Sequence, residues 1–196
     1  GDRAARELFN IYEEQFNLHP EKQDHRWRIE HAQVTHPDDL LRYAALGVIP
    51  GTQGIFACSD GPWVLDRLGA ERTRERGYVF RSMAESGALI MNGTDPPVEE
   101  ISPIASFHCS ITRELPDGSI FQPEQRLTRE QALRSYTINN AFAAFEEDLK
   151  GSLNPGKLAD ITVLSKDIMT VPEDEIPETE IVYTIIGGKV KYTWNR

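Results

Sequence analysis

Three polar side chains, His31, Gln53 and Asp95, stand just past runs that read as β-strands. In parallel α/β sheets and barrels that end of a strand is where ligands gather, because loops and helix N-termini converge there. His31 closes an otherwise strand-like run from Trp27. A neutral imidazole in such a place is a common ligand for zinc and similar ions; it is equally a core histidine satisfied by hydrogen bonds. Asp95 follows a strand and a glycine and precedes Pro96 and Pro97, each of which fixes its own φ. A carboxylate on so stiff a backbone suits a metal ligand or a general base. The same spacing also fits an Asx-turn that ends the strand.

The other reactive residues read more plainly. Cys58 beside Ser59 and Asp60 could suggest a nucleophile, but no histidine lies near in sequence, and a buried thiol is the better reading. Cys109 reads as helix core and His108 as helix surface. His19, His25 and His36 fall in loops or at a helix cap, and the acids from Glu173 to Glu180 form a solvated loop. There is no phosphate-cradling glycine loop, no CxxC and no His-x-x-x-His helix.

The elements that must position these groups follow from periodicity. Ala4, Ala5, Leu8, Phe9, Ile11, Tyr12 and Phe16 recur at helical spacing, with Asp2 as the expected N-cap. A short strand is expected over 27–32. A helix follows from Pro37 to about Leu46, closed by Gly47. The second strand is Val48–Thr52, with helical stretches around Trp63–Leu68 and Gly77–Ser86; the third is Ala88–Met91, with 92–97 as its loop. A helix over about Pro103–Arg113 comes next, and the capping box Thr128-Arg129-Glu130-Gln131 opens another running to about Phe145. Strands alternating with helices argue for a parallel α/β sheet. After Lys150 the chain turns β-rich, and Gly187-Gly188 between Ile181–Ile186 and Lys189–Trp194 signals a hairpin. The division is therefore 1–150 as an α/β unit of about three strand–helix repeats and 151–196 as part of a small all-β unit.

Composition bounds the function. The 196 residues carry 21 Lys+Arg against 31 Asp+Glu, a net charge of −10. Nucleic-acid binding wants a basic face, so this balance argues against it. No run of roughly 18 apolar residues exists to cross a membrane as a helix. Two cysteines in a chain of this length are not a disulfide framework. The chain opens on what reads as a helix cap, without an initiator Met, and is expected to be a piece of something longer.

Three segments carry a resemblance. Arg28-Ile29-Glu30-His31-Ala32-Gln33, Asn92-Gly93-Thr94-Asp95-Pro96-Pro97-Val98-Glu99 and Gly151-Ser152-Leu153-Asn154-Pro155-Gly156-Lys157-Leu158-Ala159-Asp160-Ile161-Thr162-Val163-Leu164 resemble the C-terminal half of an amidohydrolase. More narrowly they are similar to amidohydrolase family 3, which includes N-substituted formamide deformylases. The resemblance implies the C-terminal part of a (β/α)8 TIM-type barrel, followed by part of a small β-sandwich. It implies hydrolysis of an amide-type C–N bond in a small-molecule substrate by a metal-activated water, with zinc the expected divalent metal. His31 would match the metal-binding histidine of the sixth barrel strand. Asp95 would match the eighth-strand aspartate, which binds metal and takes a proton from the metal-bound water. Residues that bind the substrate are not assigned.

The departures are as informative. The family's His-x-His pair of the first strand, the bridging residue of the fourth and the histidine of the fifth are absent, and Gly54 and Phe56 stand where the family often has Pro and His. A full barrel needs about 250 residues. The chain alone is thus expected to lack a complete active site, with the N-terminal half of the same enzyme as its partner. The alternative is a catalytically inactive relative serving as an interaction or oligomerisation module, since open strand edges favour self-association into a homo-oligomer. A cytoplasmic location is expected.

Overall fold

The computed structural model describes residues 1–194. Helix α1 (Asp2–Leu18) turns Ala5 and Phe9 into the core, with Leu8, Tyr12 and Phe16 packed on the same side, the one-sided stripe that 3.6-residue periodicity requires. Its N-cap is Gly1, which corrects the expectation for Asp2. The Asp2 carboxylate is occupied elsewhere, by Arg72 at 2.6 Å and Arg76 at 2.7 Å. Burial works to raise its pKa, but the hydrogen bonds from Arg76 and Arg72 outweigh that and pull it down to about 2.

Strands β1 (Arg28–Glu30), β2 (Ile49–Gln53) and β3 (Met91–Gly93) form a parallel sheet with β2 at its centre. Every residue of β2 is buried, as expected of a central parallel strand. It nevertheless contains Pro50, which has no N–H for the ladder. The Ile49 N–H donates toward β1, to Trp27. Alternation therefore aims position 50 at β3, whose pairing begins only opposite Gly51, so the missing donor falls where the ladder has not started. Among the described residues this sheet is open, with β1 and β3 as its edges.

Between β1 and β2, Pro37 begins a 3₁₀ turn that leads into α2 (Leu40–Leu46), ended by Gly47 at φ 61°. Between β2 and β3 there are four short helices rather than two: α3 (Phe56–Ser59), α4 (Gly61–Leu68), α5 (Ala70–Arg76) and α6 (Phe80–Glu85). Gly69 at φ 78° and Tyr78 at φ 52° mark breaks that apolar periodicity does not show.

The third strand lies further along the chain than its apolar run predicted. The carbonyl of Ile90 is taken by the Asn139 side chain at 2.8 Å. The backbone of Asn92 is held in both directions by Asn140, whose Oδ1 accepts from the Asn92 N–H at 3.2 Å while its Nδ2 donates to the Asn92 carbonyl at 2.9 Å. A side-chain amide thus stands in for a neighbouring strand. This also explains why the helix expected over 128–145 is two, α8 (Arg129–Tyr136) and α9 (Ile138–Ala143), broken at Thr137: the break brings Asn139 and Asn140 onto β3. The capping box of Thr128 and Gln131 is formed as read.

α7 (Pro103–Thr112) follows β3 and is capped by the Ser102 side chain. His108 on this helix is not a surface residue. A 3₁₀ turn over Glu173–Glu178 packs on α7, leaving His108 Nε2 buried with no partner among the described residues, and burial lowers the ring's pKa. Beyond this lie β4 (Ile161–Leu164), β5 (Ile181–Ile186) and β6 (Lys189–Thr193), an antiparallel sheet in that order. Gly187 and Gly188, at φ 56° and 75°, supply the two positive φ values that a tight hairpin needs.

The cysteines require a second correction. Cys58 on α3 and Cys109 on α7 are joined in a disulfide, with Cα atoms 6.1 Å apart across 51 positions of sequence. Both are buried, as expected, but two local environments do not reveal that the residues meet. Closing a loop of this length in the unfolded chain is worth on the order of 4 kcal/mol of stability. No helix among the described residues is long and apolar enough to cross a membrane.

Candidate metal centre

The three strand-end residues meet. His31 follows β1, Gln53 ends β2 and Asp95 lies two residues past β3. The Gln53 side-chain oxygen lies 3.0 Å from His31 Nδ1 and Asp95 Oδ2 lies 4.0 Å from the same nitrogen. A carbonyl oxygen only accepts, so Nδ1 carries the proton in that bond and Nε2 keeps the lone pair available to a cation. The side chains of His31 and Asp95 are 51% and 39% exposed, open enough for a ligand to reach both. The Phe56 ring lies nearly parallel to the imidazole, with centroids 6.2 Å apart.

Asp95 sits at φ 56°. Its turn is closed by the main chain, since the Val98 N–H donates to the Asp95 carbonyl at 2.8 Å. The carboxylate is therefore not used as an Asx-turn acceptor and is left beside His31. Nitrogen and carboxylate oxygen are the donors that zinc and related divalent ions take, so this pair fits part of a metal site. Among the described residues no group of three or more His, Cys, Asp and Glu side chains could hold a metal ion.

Behind the pair lies a network that sequence reasoning did not find. Asn92 is buried, and its Oδ1 accepts from the N–H of Gly54 at 2.8 Å and of Gly93 at 3.0 Å, tying the loop after β2 to β3. Asp60 Oδ2 accepts from Gln33 Nε2 at 3.2 Å and from the Tyr78 hydroxyl. Burial pushes the Asp60 carboxyl pKa up, the Tyr78 hydrogen bond opposes this, and the charge of Glu99 adds to the rise. Burial, then the bond to Asp60, raises the Tyr78 hydroxyl in turn. The signal available in sequence is weak: Asp60 stands two residues after Cys58, where it suggests no more than a companion to a nucleophile. Cys58 is spent in the disulfide.

Gly54 shows how tightly the loop after β2 is seated. A Cβ there would lie 2.0 Å from Ser110 Oγ and 2.9 Å from the Ser106 carbonyl. Gly54→Ala is expected to cost about 1–3 kcal/mol through overpacking, read as a lower denaturation midpoint at unchanged slope. An unchanged midpoint would show that the Ser110 side chain swings away and that the α7 backbone at Ser106 gives way as well.

Residues 1–192 match the family described as the Amidohydrolase family. The chain is 33% identical, over 98% of its length, to the Arabidopsis thaliana protein LONG AFTER FAR-RED 3, of which it covers 33%. It is 28% identical, over 84% of its length, to the N-substituted formamide deformylase of Arthrobacter pascens, of which it covers 30%. The crystal structure of an uncharacterized metal-dependent hydrolase from Pyrococcus horikoshii OT3 matches 89% of this chain and 34% of that one, at a TM-score of 0.75 and 29% identity. The chain thus spans about a third of the length of the curated relatives it matches.

Proposed function

The chain belongs to the amidohydrolase family, and from that premise we propose that it is the C-terminal portion of a metal-dependent hydrolase that cleaves an amide-type C–N bond. In this reading the parallel unit is the last part of a (β/α)8 barrel, and the antiparallel sheet belongs to a small β-sandwich. The observation that carries the reading is the convergence of His31 and Asp95 from opposite edges of one sheet, with Asp95 Oδ2 4.0 Å from the ring.

His31 Nε2 and the Asp95 carboxylate would hold a divalent cation, zinc being the first choice for this donor pair. Such an ion supplies Lewis-acid polarisation of the scissile carbonyl and a lowered pKa for water. The Asp95 carboxylate is the acid–base group: it accepts a proton from the attacking water and delivers it to the departing nitrogen. Gln53 fixes the imidazole tautomer, and Phe56 backs the ring. Ligands beyond these two come from outside this chain. Because one relative's name specifies deformylation of N-substituted formamides, formamides of that kind are the first substrates to try.

The test is hydrolysis of N-substituted formamides by the full-length protein, followed by formate release. Treatment with a strong chelator and dialysis is expected to remove more than about 90% of turnover, and added zinc to restore it, as for metal-assisted hydrolysis. Undiminished turnover in protein shown to be metal-free by elemental analysis would overturn the metal-dependent reading.

A further inference from the structure

His31 and Ala32 both occupy the left-handed region, at φ 68° and 42°. For residues other than glycine this costs on the order of 1–3 kcal/mol each, and it persists only where the surroundings over-determine it. On one side of this corner β1 is fixed by pairing with β2. On the other, Gln33 is held three times, one of them a long side-chain bond to the Tyr78 hydroxyl at 3.4 Å. Its carbonyl accepts from the Tyr78 N–H at 2.7 Å, and its side chain donates to Asp60 at 3.2 Å. The hold continues through the Val34–Gly77 bridge and a bond from the Thr35 N–H to the Arg76 carbonyl at 2.9 Å.

Asp60 links α3 to α4 with helical backbone, φ −87° and ψ −24°, rather than the extended geometry from which a side chain caps a helix, and its side chain makes no capping bond. The carboxylate turns to Gln33 and the Tyr78 hydroxyl instead, and both bonds fall on Oδ2. Tyr78 is itself left-handed at φ 52°. Its carbonyl accepts from Arg113 Nη2 at 2.6 Å, and Arg113 is fully buried, with burial pulling its pKa down to about 9. A rigid Tyr78 therefore presents a fixed backbone donor to Gln33 and a fixed hydroxyl to Asp60.

We propose that Asp60 is a positioning residue: by accepting from Gln33 and Tyr78 together, it locks the His31–Ala32 corner and so aims the His31 imidazole. Its role is that of an acceptor, so the oxygen matters and the charge does not. The consequence for metal rests on reading His31 as a ligand; the consequence for the corner does not.

The experiment uses the full-length protein with Asp60→Leu, Asp60→Asn and Tyr78→Phe. The first readout is hydrogen exchange of the peptide spanning residues 29–36 in metal-free protein, against peptides elsewhere. Asp60→Leu is expected to speed exchange there at least about tenfold, a loss of local protection, with distant peptides unchanged. Asp60→Asn keeps an oxygen for both donors and is expected to return protection to within about threefold of wild type. Tyr78→Phe removes the hydroxyl that donates to Asp60 and accepts from Gln33 but keeps the Gln33–Asp60 bond, and is expected to fall between them. The second readout is cobalt affinity, followed by the visible absorption of the bound ion. It is expected to drop about 10–100-fold in Asp60→Leu, as for outer-shell partners, and to recover in Asp60→Asn.

Wild-type exchange over 29–36 in Asp60→Leu, or an Asp60→Asn variant as loose as the leucine one, overturns the proposal. If Asp60→Leu fails to fold, the remaining pair decides: protection retained in Asp60→Asn and reduced in Tyr78→Phe beyond the Asp60→Asn level supports the proposal, and any other pattern overturns it. If exchange changes as expected while cobalt affinity does not, Asp60 positions the corner and the ligand assignment of His31 falls instead.

Discussion

On the proposed function, Asp95→Asn in the full-length protein is expected to lower kcat/KM for an amide substrate by about 10³-fold or more, placing it within or above the usual range for loss of a general acid–base group. That corresponds to roughly 4 kcal/mol of transition-state stabilisation. The substitution is nearly isosteric and acts on one atom's chemistry. Asparagine cannot accept a proton from water, and it is a weaker donor to a cation. The fold has little reason to respond, because the turn at 95–98 is closed by the Asp95 main-chain carbonyl and not by its side chain, and the carboxylate is partly exposed. The measurement is a pair: steady-state kinetics, and thermal unfolding of the same preparation. Turnover within about tenfold of wild type, below the usual general acid–base contribution, would remove Asp95 from the mechanism. A collapse of the unfolding midpoint would show instead that the carboxylate is structural.

The parts of this site that were legible in the sequence share a local cause. A strand end is marked by where an apolar run stops, so His31, Gln53 and Asp95 could each be placed at the C-terminal end of a strand without knowing which strands were neighbours. The parallel order of β1, β2 and β3 then brings them together. The Gly187–Gly188 hairpin and the Thr128–Gln131 capping box are local in the same way, since each is written within a few residues. The misplaced features are those in which a distant residue overrides a local preference. Thr137 breaks a helix that the periodicity continues, because Asn139 and Asn140 are needed on β3, 48 or 49 positions away. The Asp60 carboxylate is taken by Gln33 and Tyr78, 27 and 18 positions off. Cys58 and Cys109 each look like ordinary core, and only the packing of α3 against α7 makes them a pair.

His31→Ala is the counterpart to the carboxylate substitution and is expected to separate binding from chemistry. Removing the imidazole takes away one of the two donors this chain brings together, so zinc affinity of the full-length protein is expected to fall at least about 100-fold, beyond the 10–100-fold typical of outer-shell partners. Gln53→Leu provides the internal standard. It deletes only the 3.0 Å acceptor that fixes the Nδ1 proton, so its loss is expected to stay within that 10–100-fold range. The order matters more than either value. A ligand and its orienting partner differ because the first removes a bond to the ion, whereas the second frees the ring to choose the other tautomer or turn away. Competition against a metal indicator gives both constants. Equal, small losses in the two variants would mean that the ion is held elsewhere, with His31 no more than a neighbour of Asp95. A large loss in Gln53→Leu with none in His31→Ala would move the ligand role to Gln53 itself. Excess zinc supplies a further check on the expected order: saturating metal is expected to recover turnover in Gln53→Leu, where the donor is still present, and to leave His31→Ala impaired, where an ion that does bind has lost one of its donors.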